Sequence, residues 1–514
     1  MPKSNRRRGR KDRLAQETIV DTNPPVWPGV AGGCLKPLSP SEVTLVEETA
    51  LSLLETLGLS QAIPSMVRAV TAAGGTLSDD GRLLFPRTLV QSAIAGAQRD
   101  FFLCGQNPEH DLLITGASVH MSTGGAAPGI FDIDTGLYRP STLADLYDAA
   151  RLVDAMENIH HFSRPVVARD IEDNATMDIN TAYASLIGTS KHVSMSITEP
   201  QNVQAIAELC YTIAGGEAAF RARPFLTVMV CHVVPPMRFA EDACEVLEAA
   251  IKAGFPVQLI SAGQAGATSP ATIAGSLVQA VAETLAGLVF ARLVDPEAKA
   301  IFAPKPLVAD LRTGSMSGGG GEQAILMAAA AQMGRHFGLP TSSIAGITDA
   351  KTLDTQYGAE KTLAIAMAAH AGSNIVTQAA GIHASLLGVS LEGYVSDNDL
   401  IGNILRTIRG VEATPENIAA DVIANVCRGP GHYLGEIHTF DRMKSDYFYP
   451  HVGDRRTPVE WQEDGARPVG DVARDRTREL LASHYPNHIA DETDIALRGA
   501  FDIRLSRSRI GRSE

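Results

Sequence analysis

Residues 225–231, Phe-Leu-Thr-Val-Met-Val-Cys, begin the stretch of sequence that decides the fold. This run is apolar except for Thr227 and includes the β-branched Val228 and Val230, which is typical of a strand buried on both faces. Residues 240–253 then place apolar side chains at helical spacing, and residues 256–260, Pro-Val-Gln-Leu-Ile, form a second apolar run. A strand, a helix and a strand in this order predict two parallel strands joined by a crossover helix.

The same unit repeats on both sides of this stretch. Helix-like segments such as 270–292, 323–337 and 359–371 alternate with short strand-like runs through the middle of the chain. Eight such units over about 250 residues are typical of a (β/α)8 barrel, whereas an open doubly wound sheet rarely repeats the unit eight times. The predicted strands are 161–168, 192–197, 225–231, 256–260, 298–303, 341–345, 374–378 and 391–396.

The segments on either side of these units differ from them in pattern. Ser39, Pro40 and Glu42 form a helix-start signal, and residues 111–139 read as β-hairpins. We therefore predict an α/β fold, a (β/α)8 TIM barrel with an N-terminal helical and β-hairpin extension and a C-terminal wrapping segment. The predicted regions are a disordered basic arm at 1–33, the extension at 34–140, the barrel at 141–410 and a C-terminal helical extension at 411–514.

Composition excludes several classes of function. The chain has 514 residues, of which 45% are hydrophobic and 20% charged, as in a globular protein with a large core. Its formal net charge is −14, but the first 13 residues hold seven basic side chains and one acid, so the remaining 37 basic and 57 acidic residues sum to −20. This balance argues against a nucleic-acid binder, which needs a basic face.

The cysteines and the apolar runs indicate in which cellular compartment the protein is expected. None of the six cysteines forms a C-x-x-C pair, so we expect neither a disulfide scaffold nor a thiolate zinc site. The most apolar long run, 271–289, contains Gln279 and Glu283, and the N-terminus has no apolar signal core. We therefore expect a cytoplasmic protein with no metal site and no membrane contact.

In a (β/α)8 barrel the functional residues lie at the carboxyl ends of the strands. By that rule, Cys231 and His232 follow one strand, Lys305 follows another, and the glycine run 318–321 precedes a helix where it could bind phosphate. Lys305 or Lys351 could form a Schiff base if desolvated, which together with phosphate binding would indicate a lyase or aldolase. A surface lysine and a plain glycine loop are the structural alternatives.

The residues of the loop at 346–360 and two histidines also have both a structural and a functional interpretation. Asp354, Gln356 and Glu360 could cap a helix or supply the negative field that a cationic ligand needs. His232 and His383 could be acid–base groups or metal ligands, although no matching His/Asp spacing completes a metal triad, which favours hydrogen-bonded core histidines.

Two segments carry a resemblance to a known family. Residues 348–361, Thr-Asp-Ala-Lys-Thr-Leu-Asp-Thr-Gln-Tyr-Gly-Ala-Glu-Lys, and residues 431–439, Gly-His-Tyr-Leu-Gly-Glu-Ile-His-Thr, resemble the trimethylamine methyltransferase family. The similarity extends to residues 45–58 and 122–132 and to the later Tyr449-Pro450, Asp454-Arg455 and Trp461.

The resemblance implies a corrinoid-dependent methyltransferase on a TIM barrel. Such an enzyme moves a methyl group from a methylated amine to Co(I) of a separate corrinoid protein and binds no cofactor tightly itself. Members that use trimethylamine carry pyrrolysine after the sixth strand, where this chain has standard residues in 346–348. It therefore looks like the branch that uses quaternary amines such as glycine betaine. A lyase or aldolase, or a non-catalytic amine-binding member, stays open.

A quaternary ammonium group cannot donate N–H hydrogen bonds and is held by aromatic faces and carboxylates. Position and chemistry give the expected substrate-binding residues as Asp349, Asp354, Gln356, Tyr357, Glu360, His383, Arg312, Phe131 and Tyr394, with Phe302 as a further aromatic. Arg312 or His383 would bind a substrate carboxylate. Gly318, Gly319 and His232 are expected on the cofactor side, and self-association into a homo-oligomer is expected.

Overall fold

The computed structural model describes residues 24–513, which adopt a mixed α/β fold. Within these residues, eight strands of two parallel ladders alternate with eight helices. The strands are β1 (Ser118–Met121), β2 (His161–Ser163), β3 (His192–Met195), β4 (Leu226–Val230), β5 (Val257–Ser261), β6 (Ala300–Pro304), β7 (Ser342–Ile344) and β8 (Ile375–Thr377).

Local signals start several of the eight helices. Thr142 and Asp145 form a reciprocal capping box at the first, and the Asp354 side chain caps the seventh. The helices are α1 (Leu143–Asp154), α2 (Asn174–Gly188), α3 (Asn202–Ala214), α4 (Glu241–Lys252), α5 (Ile273–Val294), α6 (Gly321–Phe337), α7 (Thr355–His370) and α8 (Leu391–Arg409). In the described part of the chain, α5 alone is long and apolar enough to span a membrane, and most of it is buried.

The strands pair in two sets. β2 to β6 form one parallel sheet in chain order, and β7, β8 and β1 form a second parallel ladder. Single parallel bridges join the sets at both ends, Ser122 with His161 and Phe302 with Thr341.

Two expectations about the strands were wrong. Residues 391–396 begin helix α8, in which the apolar Leu391, Tyr394 and Val395 recur at helical spacing and are buried. The eighth strand of the set is instead β1, which lies among residues expected to form β-hairpins. Because β1 comes first in the chain, each of the other predicted strands has a number one higher in the structure. In the C-terminal extension, the helices Pro415–Ile418 and Ala420–Arg428 are separated by Ala419, which has a left-handed φ of 54°.

Successive side chains of β6 point to opposite sides of the sheet, and this alternation shows which side holds the candidate site described below. The Phe302 ring packs on Phe337 of α6, so neighbouring positions such as Ile301 and Lys305 face away from the helices. On that side, an antiparallel hairpin at 101–114 covers the amino ends of the strands. It forms an apolar cluster of Phe101, Leu103, Leu112, Ile114, Ile301 and Ile375.

The remaining elements lie outside the eight strand–helix units. The other strands are Val30–Ala31, Leu59–Ser60, Thr76–Leu77, Arg82–Leu84, Phe101–Leu103, Leu112–Ile114, Gly129–Phe131, Tyr138–Pro140, Gln264–Ala265, Leu307–Val308, Ile382–His383 and Gly388–Ser390. The other helices are Pro40–Thr56, Pro64–Ala72, Arg87–Gly96, Glu217–Ala222, Pro415–Ile418, Ala420–Arg428, Ile437–Ser445, Pro458–Glu463, Val469–Ser483 and Asp491–Ala500, with 3-10 turns at Pro108–His110, Ala384–Leu386 and Ser508–Ile510.

The described chain divides into two compact units. One comprises residues 28–409 and 450–513 and contains strands β1 to β8, and the other comprises 24–27 and 410–449. Of the predicted basic arm, residues 1–23 lie outside the described residues, and residues 30–31 pair with β1 as an antiparallel strand. The predicted division at residues 34, 141 and 411 stays a prediction.

Candidate active site

A buried lysine lies at the carboxyl end of β6. The Lys305 Nζ donates hydrogen bonds to Gln258 Oε1 at 2.8 Å and to Thr377 Oγ1 at 3.0 Å. Lys305 is 3% exposed and forms no ion pair within residues 24–513. Burial lowers the pKa of Lys305 to about 7. An interior ammonium group without a carboxylate is costly, and a strongly shifted pKa in such a place marks a candidate functional group.

Several polar groups on the same side of the strands have unused hydrogen-bonding capacity. Gln258 Nε2, both ring nitrogens of His161 and the Ser194 hydroxyl are buried and have no hydrogen-bond partner in the described structure. The His161 and His192 rings lie 5.1 Å apart, and burial holds the His161 pKa well below its usual value, so the His161 ring is neutral. Buried polar groups are normally satisfied, so this cluster can accept a polar ligand or ordered water.

The thiol of Cys231 lies at the open end of this region. Cys231 follows β4 and is exposed to solvent, and the Met229 sulfur on the same face accepts a hydrogen bond from Ser163 Oγ at 3.3 Å. The surrounding protein raises the pKa of the Cys231 thiol, and Lys305 is close enough to oppose that rise. Cys231 is therefore a residue near Lys305 that solvent can reach.

The glycine run predicted to meet a cofactor is held by a carboxylate. Asp349 accepts hydrogen bonds from the Gly318 N–H at 2.9 Å and the Gly319 N–H at 3.4 Å. It also accepts from the Ser317 hydroxyl at 3.2 Å and the Ser385 hydroxyl at 2.5 Å. Asp349 therefore ties together the loops that follow β6, β7 and β8, and these two N–H groups are not available to a phosphate.

The acidic loop after β7 serves local structure. Asp354 is exposed and accepts from the Tyr357 N–H at 3.1 Å, a bond that lowers the Asp354 pKa. The Gln356 amide donates to Glu360 at 2.8 Å, and Glu360 accepts from the Thr348 hydroxyl at 2.6 Å. The helix-cap alternative for Asp354 is the arrangement observed.

Tyr357 belongs to a buried charge network. Its hydroxyl donates to Asp397 at 2.6 Å, and Lys361 pairs with the same carboxylate at 3.1 Å. Asp397 also accepts from the Gly381 N–H at 2.7 Å, and Lys361 donates to the Gly346 carbonyl at 3.0 Å. Burial raises the pKa of Asp397, and Lys361 opposes that rise. The network fixes the loops that follow β7 and β8.

Phe131 and His383 line a cavity of about 290 Å³ together with Lys351, Leu353, Glu392 and Arg474. The Phe131 and His383 ring centroids lie 5.4 Å apart, and His383 Nε2 bonds the Ser390 hydroxyl at 2.8 Å. Burial lowers the pKa of His383 to about 3, so a neutral imidazole would face any substrate carboxylate.

The other expected residues lie apart from these places. Arg312 is 88% exposed along its side chain and pairs with Asp310 at 2.7 Å. His232 is fully buried and bonds the Glu283 carbonyl at 2.9 Å, while Tyr394 is buried. In the described part of the chain, none of these three side chains contacts Lys305 or Gln258. Among the described residues, no cluster of three or more His, Cys, Asp or Glu side chains could hold a metal ion.

The residues around Lys305 were only partly recognised in the sequence. Cys231 and Lys305 follow predicted strands, but Gln258, His161 and Ser194 did not stand out. Each is a polar residue inside an otherwise apolar buried strand, at a position that alternation directs away from the helices. A polar residue within an apolar strand was the sequence signal that could have identified these three positions.

Comparisons with known proteins identify the family. The family described as trimethylamine methyltransferase (MTTB) matches residues 5–508. The glycine betaine methyltransferase of Desulfitobacterium hafniense is 28% identical over 90% of this chain and 95% of its own length. The trimethylamine methyltransferase MttB2 of Methanosarcina mazei is 30% identical over 78% of this chain and 81% of its own.

Among solved structures, the monomethylamine methyltransferase MtmB of Methanosarcina barkeri aligns with 88% of this chain and 96% of its own, at 13% identity and a TM-score of 0.49. The match across residues 5–508 settles the question of family: this chain belongs to the trimethylamine methyltransferase family.

Proposed function

We propose that this protein is a methyltransferase that moves a methyl group from a quaternary amine, such as a betaine, to Co(I) of a corrinoid carried by a separate protein. The observation that carries the proposal is the family match over residues 5–508. The similarity to a glycine betaine methyltransferase over 90% of the chain supports the quaternary substrate. We propose a cytoplasmic location, and self-association stays a prediction.

We also propose that the eight parallel strands close into a (β/α)8 barrel. The single parallel bridges between Ser122 and His161 and between Phe302 and Thr341 support it, because they join the ends of the two strand sets. A closed barrel would place Lys305, Gln258 and Thr377 inside it, and the crevice at Cys231 at its functional, carboxyl-terminal end.

The chemistry of a quaternary amine asks little of the protein. The N–CH3 bond breaks, the methyl group joins the corrinoid acceptor, and the bonding electron pair stays on nitrogen as a neutral tertiary amine. No proton is needed for this departure, so no general acid is required. The residues of this chain need only hold the amine, direct one methyl group outward and exclude water.

We place the amine in the crevice between Cys231 and Lys305. Asp349, Tyr357 and Glu360, expected in the sequence to touch substrate, act here as positioning residues that hold the surrounding loops. The Gly318 and Gly319 N–H groups bond Asp349, and His232 is fully buried, so we assign no residue of this chain to the corrinoid.

A spectroscopic methyl-transfer assay tests the function. Enzyme, reduced cobalamin and one of a panel of methylated amines are mixed, and the conversion of Co(I) to methyl-Co(III) is followed. We expect conversion with a quaternary amine and little with trimethylamine. No conversion with any amine, by enzyme whose fold is verified by circular dichroism, would refute the proposal.

Alkylation of Cys231 gives a second test of the crevice. In a Cys34→Ser, Cys427→Ser background, which removes the other exposed thiols, iodoacetamide should modify Cys231 and reduce methyl transfer at least tenfold. Because the thiol pKa is raised, modification should be faster at pH 9 than at pH 7. A saturating quaternary amine should protect the thiol, as measured by mass spectrometry. Full activity after complete modification would place the substrate elsewhere.

One observation supports the alternative function, a lyase or aldolase that forms a Schiff base. A desolvated lysine with a pKa of about 7 is suited to attack a carbonyl, and Lys305 meets that description while Lys351 is exposed. Borohydride reduction in the presence of carbonyl substrates would label Lys305 if the protein were such a lyase. Amine binding without methyl transfer would indicate a non-catalytic member of the family.

A further inference from the structure

We infer that Lys305 and Gln258 bind a carboxylate group of the substrate, so that the preferred substrates are zwitterions with a quaternary ammonium at one end and a carboxylate at the other. This inference rests on the proposed function and adds a specificity-determining residue to it. It also replaces Arg312 and His383, the two residues that the sequence suggested for this role.

The hydrogen-bond inventory around Lys305 carries the argument. An ammonium group has three donors, and two of them are used by Gln258 Oε1 and Thr377 Oγ1. The Gln258 side chain accepts with its oxygen, which leaves its buried NH2 group without a partner. A free donor on Lys305 and the unpartnered NH2 group of the adjacent Gln258 match the two oxygens of a carboxylate.

The local charges favour an anion. Two titratable groups on other strands of the sheet interact with Lys305, namely Cys231 after β4 and His161 on β2. His161 is neutral, and the raised pKa of Cys231 keeps its thiol protonated at pH 7. No carboxylate in residues 24–513 acts on Lys305, so its ammonium form has no counter-ion there, and an anionic ligand would supply one.

The two sequence candidates fit this role less well. Arg312 is exposed and already paired with Asp310, and a neutral His383 offers no charge. A carboxylate bound at Lys305 also orients the molecule. The ammonium end then lies toward the solvent-exposed Cys231, where a methyl group can meet the partner protein.

Binding measurements with matched ligands test the inference. Isothermal titration calorimetry compares trimethylglycine with choline, which has the same ammonium head but a hydroxyl in place of the carboxylate. Wild-type protein should bind trimethylglycine at least 30-fold more tightly. Lys305→Met and Lys305→Gln should each weaken trimethylglycine binding about 100-fold and choline binding less than threefold. Lys252→Met, which removes an exposed lysine, should leave both affinities unchanged.

Proton uptake gives a readout that needs no variant. With a pKa of about 7, Lys305 is about half protonated at pH 7, and a bound carboxylate favours the ammonium form. Trimethylglycine binding at pH 8 should therefore take up close to one proton, seen as a binding enthalpy that differs between phosphate and Tris buffers. The affinity should fall as pH rises above 7. Binding with no proton uptake at pH 8 would overturn the inference.

The outcomes separate this inference from the proposed function. If wild type and Lys305→Met transfer methyl groups from trimethylglycine with equal kcat/KM, the assignment of Lys305 is wrong and the function stands. If trimethylglycine binds with the expected Lys305 dependence but no methyl transfer occurs, the methyltransferase proposal fails and the carboxylate site stands. A wild-type preference for choline would contradict the zwitterion assignment.

Discussion

Replacing Asp397 with alanine is expected to lower the free energy of unfolding by about 3–5 kcal/mol, the cost of leaving one partner of a buried ion pair uncompensated. Lys361 and Asp397 are both fully buried and 3.1 Å apart, so the lysine would lose its counter-charge without gaining water. The same change removes the acceptor for the Tyr357 hydroxyl and the Gly381 N–H. Urea denaturation followed by circular dichroism measures the effect.

Two further variants make this result specific. Asp454→Ala breaks an exposed pair with Arg456 and should cost less than about 1 kcal/mol. The double variant Asp397→Leu, Lys361→Met replaces the pair by apolar side chains and should be more stable than Asp397→Ala. A loss below about 1 kcal/mol for Asp397→Ala alone would show that the network does not hold the loops.

Asp349→Ala is expected to reduce methyl transfer about 100-fold while the protein stays folded. The carboxylate accepts hydrogen bonds from Gly318, Ser317 and Ser385, so its loss releases the loops after β6 and β8 from the loop after β7. Displacement of a positioning element by about 1 Å can cost a factor of 100 in rate. The kcat with reduced cobalamin and a saturating quaternary amine measures it.

The comparison variants distinguish loop positioning from loss of charge. Asp349→Asn removes the charge but keeps one side-chain oxygen as an acceptor, so it should retain more activity than Asp349→Ala. Glu217→Gln, which removes a charge from an exposed helix, should have no effect. Equal activity of wild type and Asp349→Ala would mean that the glycine run needs no anchor.

Most of the repeating strands and helices could be predicted from the sequence, because buried parallel strands are continuous apolar runs and the helices between them have their own period. Residues 225–231 and 256–260 show this, because the first range contains the strand it predicts and the second overlaps its strand at all but one residue. Strand β1 could not be found in the same way. Its sequence, Ser-Val-His-Met, is short and half polar, and its pairing with β8 is a long-range contact that no local pattern reports.

The candidate site was harder to predict than the fold. Residue type and position near a strand end selected Asp349, Tyr357 and Glu360, and the structure shows each one bonded to neighbouring loops. A carboxylate that caps backbone N–H groups and one that binds a cation look the same in sequence. Lys305 was found, but its lack of any carboxylate partner became visible only when strands β5, β6 and β8 were brought together.

The pairing of β1 with β8 has a consequence for how the protein is made. His120 and Ile375 are partners in the ladder although 255 positions separate them, the difference between 375 and 120. At about 5–20 residues per second, a ribosome needs about 13–50 s to cover that distance. Throughout that interval the nascent chain carries an unpaired β1 edge, open to association with other chains. Synthesis therefore exposes this protein to aggregation until residue 377 has emerged, and slow non-local pairing prolongs the exposure.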